Sequence, residues 1–165
     1  MDSMALTRKE KISLSTTEIA KLIRNQLKEE FRGCKFSVTS AYYSMGSSVT
    51  VSLIKADRKV KRGFEELTDS LPFYRDNHYT DKELKKLQEE SYHQLNEYIL
   101  RQDYDPRYLC NGVFLTEQGH NFLQRVVEIA DHFNFNDSDP MTDYYHVNFS
   151  FSLSLGKWDR PFIDG

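Results

Sequence analysis

The residues of this chain whose type and spacing come nearest to chemistry are Asp137, Asp139 and Asp143. They lie in the polar link Asn134-Phe135-Asn136-Asp137-Ser138-Asp139-Pro140-Met141-Thr142-Asp143. Three carboxylates so placed could gather around a hard cation, which takes oxygen ligands. An EF-hand loop, however, needs glycine at its sixth position and glutamate at its twelfth. Here Pro140 follows Asp139, and no such glutamate follows. Asn and Asp also bond their own backbone, which makes a turn the ordinary reading of the link. Two functional readings stand beside it. One is a metal-dependent enzyme built on the three aspartates. The other is a partner-binding acidic surface that mimics DNA and occupies a nuclease channel.

A second set is basic: Arg58, Lys59, Lys61 and Arg62, followed further on by Lys82, Lys85 and Lys86. With Tyr42, Tyr43 and Tyr74 they could touch nucleic acid through phosphate contacts and stacking. A net charge of −3 opposes binding over the whole surface, and charge runs on helices are usually solvated faces. A third set is Gly156-Lys157-Trp158-Asp159-Arg160-Pro161-Phe162, which holds the one tryptophan. Trp158 and Phe162 are expected to fold back over a sheet edge or core rim. Asp159 and Arg160 are expected to pair across a turn. The competing reading makes Trp158 and Arg160 a partner anchor, since both types are frequent hot spots.

The remaining candidates are bland. His78, His93, His120, His132 and His146 show none of the close ligand spacings of a zinc site and read as surface or capping residues. The loop Tyr43-Ser44-Met45-Gly46-Ser47-Ser48 lacks both phosphate-loop patterns and reads as a hairpin turn. No nucleophile elbow occurs. The expectation is a protein without catalytic residues or cofactor.

The elements that must position these residues begin after a polar lead-in over residues 1–13. Residues 14–165 form one domain. Leu14-Ser15-Thr16-Thr17-Glu18-Ile19 combines a capping box (Ser15, Glu18) with a hydrophobic staple (Leu14, Ile19). The helix it starts carries Ile19, Leu22, Ile23, Leu27 and Phe31 at helical spacing, and Gly33 ends it. Two alternating runs, Lys35–Tyr43 and Ser48–Ile54, read as a β-hairpin. A short helix is predicted over Arg58–Leu71. A second capping box at Thr80 and Glu83 starts a helix running to about Gln102. Thr116 caps another, striped by Phe122, Leu123, Val126, Val127, Ala130 and Phe133. Tyr145–Leu155 then alternates without a break, with Val147, Phe149, Phe151, Leu153 and Leu155 on one face. His146, Asn148, Ser150, Ser152 and Ser154 lie on the other. Only a strand with one buried face keeps that period. The fold class is therefore α+β: a single domain whose antiparallel sheet has a hairpin and a long late strand, with helices packed on one face and Ser and Thr on the other.

At 165 residues, of which 39% are hydrophobic, the chain can bury one proper core. Its 11 Phe and 10 Tyr add large buried areas. Cys34 and Cys110 form no CxxC pair and read as small core residues in a reducing cytoplasm. The start Met1–Lys11 is polar and charged, unlike a signal peptide, and no apolar run approaches the ~20 residues of a membrane helix. No membrane partner is expected.

Three stretches taken together carry a resemblance. They are Ile19-Ala20-Lys21-Leu22-Ile23-Arg24, the hairpin from Lys35 to Val51, and the ending from Asp143-Tyr144-Tyr145 to Gly156-Lys157-Trp158-Asp159-Arg160-Pro161-Phe162. Over about residues 17–162 the chain resembles the large polyvalent protein associated domain 29 family. That resemblance implies an accessory protein of a phage or conjugative element, of a kind often fused to DNA-processing modules. It carries over no catalytic residue. It suggests a free-standing, non-enzymatic protein that binds and blunts a host defence factor, an anti-CRISPR or anti-restriction inhibitor in the host cytoplasm. Its partner would be a defence protein or ribonucleoprotein complex. The alternative it leaves is a nucleic-acid-binding accessory factor using Arg58, Lys59, Lys61 and Arg62. An exposed sheet edge would also allow a homodimer.

Overall fold

The computed structural model describes residues 14–63, 80–105, 113–134 and 149–165. The chain begins with helix α1 (Thr16–Glu30), then strands β1 (Lys35–Tyr43) and β2 (Gly46–Lys55). Helix α2 (Asp81–Glu89), the two-residue strand β3 (His93–Gln94) and the single turn α3 (Glu97–Leu100) follow. Helix α4 (Glu117–Phe133) and strand β4 (Ser150–Leu155) complete it.

Each helix starts where a side chain can take up an orphan amide. Ser15 accepts from the Glu18 amide, and its hydroxyl donates to the Glu18 carboxylate at 3.1 Å, so the two side chains the capping-box spacing pairs are held together. Thr80 and Glu83 repeat the arrangement at α2, and Thr116 accepts from Gly119 at α4. All three caps stand where the sequence places them. So does the hairpin, which turns through Ser44 and Met45 and pairs Phe36 with Leu53, Val38 with Val51 and Tyr43 with Gly46.

The α+β class holds, and the sheet is mixed. Its order is β1-β2-β4-β3, and β4 runs parallel to β2, pairing Val49 with Phe151, Val51 with Leu153 and Leu53 with Leu155. A period of two is the same in either direction, so alternation cannot tell them apart. The long crossover between β2 and β4 is what permits the parallel pair. One face of the sheet supplies Val38, Val49, Val51, Leu53, Leu153 and Leu155 to the core. Ile19, Ile23 and Leu27 of α1, and Leu123, Val127 and Ala130 of α4, close over them. Phe31 meets Phe122 edge-on at 4.7 Å, the arrangement aromatic rings prefer. The free edge of β1 is not bare, because the Arg24 guanidinium donates to the Val38 carbonyl. Such blocking is how edge strands avoid pairing with another chain.

Two expected helices are corrected. Arg58–Gly63 is not helical, and Lys61 is bridged to Leu115; the rest of the helix predicted to Leu71 lies outside the described residues. Asp164 explains the difference, because its carboxylate accepts from the Val60 and Lys61 amides at 2.7 and 3.0 Å and holds them out of a helix. The helix expected from Thr80 to Gln102 stops at Glu89. Leu95 and Leu100 are buried across that break, and the Leu95 amide donates to the Leu153 carbonyl, so sheet pairing wins over helical continuation. Among the described residues no helix is long and apolar enough to cross a membrane.

Candidate interaction surface

After Leu155 the chain leaves the sheet and returns to it within a few residues. Gly156 still donates to the Leu53 carbonyl at 2.8 Å, then turns at φ +70°. Lys157 and Arg160 exchange two backbone hydrogen bonds, at 2.8 and 3.1 Å, which close a tight turn with Trp158 and Asp159 at its tip. The Phe162 amide then donates to Ser91, and Ile163 resumes the parallel ladder beside β2, bonded to Ile54 and Ala56. The excursion is clamped at both ends.

Its two aromatic residues divide. Phe162 is buried and belongs to the core, as the sequence suggests for both. Trp158 instead stands 84% exposed. Arg160 is half-buried beside it, and the expected Asp159–Arg160 ion pair is absent among the described residues. The lysine before the tryptophan leans the other way: Lys157 Nζ lies 3.5 Å from Ser37 Oγ, over the outer face of the sheet. Neither Lys157 nor Gly156 stands out by spacing alone, although Gly-Lys-Trp-Asp-Arg-Pro is rich in turn residues.

The basic run is largely engaged. The Arg58 guanidinium bonds Asp57 at 2.8 Å and lies over the Phe122 ring, 4.6 Å from its centroid. Asp57 also accepts from the Cys34 thiol at 3.1 Å; partial burial and that bond push the thiol up to about 11, which leaves it unreactive. Lys61 Nζ donates to the Glu90 carbonyl at 2.6 Å, and burial pulls its ammonium below the usual lysine range. Lys59, Lys61 and Arg62 line a cleft of about 340 Å³ whose other walls include Glu89, Glu90 and Asp164. A mixed-charge cleft is a poor track for phosphates.

Asp137, Asp139 and Asp143 lie outside the described residues, as do His78, His146 and Cys110. Among the described residues no group of three His, Cys, Asp or Glu is set to hold a metal. Two of the histidines read as surface or capping residues do not lie on the surface. His93 is on β3 and His120 in α4; both are buried, with Nε2 bonded to the Glu90 and Gln102 carbonyls at 2.8 Å each. A cavity of about 260 Å³ lies beside His120, lined by Tyr98, Ile99, Tyr104 and Leu115.

Residues 14–118, more than half of the chain, match the family model described as large polyvalent protein associated domain 29. No curated protein and no solved structure matches.

Proposed function

This chain belongs to that family, which makes it an accessory protein of phage or mobile elements, and on that premise we propose that it is a non-enzymatic binding protein that engages and blunts a host defence protein. The target class is a nuclease of the host, acting alone or in a CRISPR-type complex. One observation carries the reading: Trp158 is 84% exposed at the tip of a turn whose two ends are tied into the sheet. Tryptophan brings a large apolar area and a polar N–H, which suits a contact that folding has left open. Tryptophan and arginine dominate hot spots, and Arg160 stands beside it. A turn already ordered by backbone bonds loses little freedom when a partner closes on it.

The test is capture from nuclease-treated host lysate with the tagged chain, joined to plating of a targeted phage on hosts that express it. The expected result is one host protein held in stoichiometric amount, rescue of plating, and loss of both with Trp158→Ala. Capture that vanishes with the nuclease overturns the reading, as does rescue without any captured protein. The charge-reversed triple Asp137→Lys, Asp139→Lys, Asp143→Lys is the second arm. Loss of capture in that variant, with the fold intact, adds acidic mimicry to the mechanism.

A further inference from the structure

The geometry points to the outer face of the sheet as a binding surface for single-stranded nucleic acid, with Tyr43 as the stacking platform and Lys35 and Lys157 as the phosphate contacts. This goes beyond the protein-binding reading and uses different residues.

Strand alternation puts Lys35, Ser37, Thr39, Ala41 and Tyr43 of β1 on this face. The register extends them into rows across the sheet: Ser37, Ser52, Ser154; then Thr39, Thr50, Ser152; then Ala41, Ser48, Ser150. The first row is closed, since Ser52 and Ser154 are buried and hydrogen-bonded to each other at 2.9 Å. The other two rows are open to solvent in whole or part. Strands β1, β2 and β4 contain no Asp or Glu, in a chain that has 25 of them. These strands therefore offer hydroxyl donors and no carboxylate of their own to repel an anion.

Its two ends are equipped differently. At the hairpin end the Tyr43 hydroxyl donates to the Ser47 carbonyl at 3.1 Å and lies 3.3 Å from Ser150 Oγ. Those bonds hold the ring across the strand ends, while the residue stays 51% exposed. At the other end Lys157 reaches Ser37, one step along the face from Lys35. From Lys35 to Tyr43 the strand spans roughly 25 Å at about 3.3 Å per residue. Sheet faces of this general kind take up two or three bases on aromatic side chains. Hydroxyls and lysines donate to phosphate oxygens, and an aromatic ring stacks any base. An acidic polypeptide would use the two lysines but would have no call on Tyr43 as a stacking surface. The net charge of −3 does not oppose a contact confined to strands that carry no carboxylate.

The experiment is fluorescence anisotropy with fluorescein-labelled dT12 and rU12 on the full chain, with polyglutamate as competitor. Binding is expected at 50 mM salt, and two phosphate contacts should weaken it about sevenfold at 200 mM. Lys157→Ala should reduce that salt effect to about threefold. Tyr43→Ala should weaken binding at least about fivefold, the loss of one stacked base. Thr39→Glu, at an exposed site on the edge strand, should abolish binding while the urea midpoint stays put. Trp158→Ala should change affinity less than about twofold, since stacking is assigned to Tyr43. Absence of binding at low salt overturns the assignment. So does displacement by polyglutamate as effective as by unlabelled dT12, which makes an acidic polypeptide the occupant. So does loss with Trp158→Ala but not with Tyr43→Ala, which moves the site to the turn.

Discussion

Gln88 and Phe114 pair as if they were neighbours in a sheet. The Gln88 side-chain amide donates to the Phe114 carbonyl at 2.8 Å, and its oxygen accepts from the Phe114 amide at 2.8 Å. The same side chain also donates to the Arg62 carbonyl. One buried glutamine on α2 thus stands in for a strand and joins two non-helical segments to a helix.

Gln88→Ala removes the partner of a buried backbone amide, which costs about 1–3 kcal/mol. The urea midpoint should fall accordingly. Gln88→Glu should fare no better, because it keeps the acceptor, loses the donor and buries a charge. A midpoint unchanged in both variants would refute this role.

Gly156→Ala should destabilise the protein more than its small size suggests. A Cβ at this position would lie 2.4 Å from the Ser91 carbonyl oxygen and 2.8 Å from the Phe162 amide nitrogen, at a φ of +70°. Left-handed strain and overpacking together cost about 2–4 kcal/mol. Trp158→Ala, at an exposed tip, should stay within about 0.5 kcal/mol of the parent. Thermal unfolding distinguishes the two, and both should lose partner capture.

Acid should weaken the fold through His93. Burial, reinforced by the Lys61 cation, pushes its imidazole down to about 4 from 6.5. The folded form therefore keeps it neutral where the unfolded chain would protonate it. The stabilisation is fully present above pH 6.5 and is lost as pH falls toward 4. Linkage sets an upper bound of about 3 kcal/mol on that loss. His93→Gln should flatten the stability–pH curve across this window, which urea titrations at successive pH values would reveal.

Arg58 should behave as a structural residue. Its ion pair with Asp57 and its place over Phe122 suggest a loss of about 1–2 kcal/mol in Arg58→Ala. Arg58→Lys should recover only part of it, since lysine cannot present a planar fork. Oligonucleotide affinity should be the same in all three proteins; a drop in Arg58→Ala at unchanged stability would return the basic run to the binding surface.

Capping boxes, the hairpin and the alternating late strand were legible in the sequence because each acts over a few residues. Ser15 needs only Glu18, Thr80 only Glu83, and Val51 only its own neighbours in the pleat. Those signals determined the α+β class and the apolar faces of α1, α4 and the hairpin. What they could not reach is set by residues far apart in the chain. Asp164 holds Val60 and Lys61 out of a helix from more than a hundred positions away. The crossover through α2 and α4 made β4 parallel to β2, with no trace in its alternation. The same distance effect sorted the charges and aromatics: Arg58 went to Asp57 and Phe122, while the return of Ile163 to the ladder left Trp158 in solvent. Local chemistry chose the elements, and only the closed tertiary structure decided which side chains remained available to a partner, because availability is what remains after long-range pairing is complete.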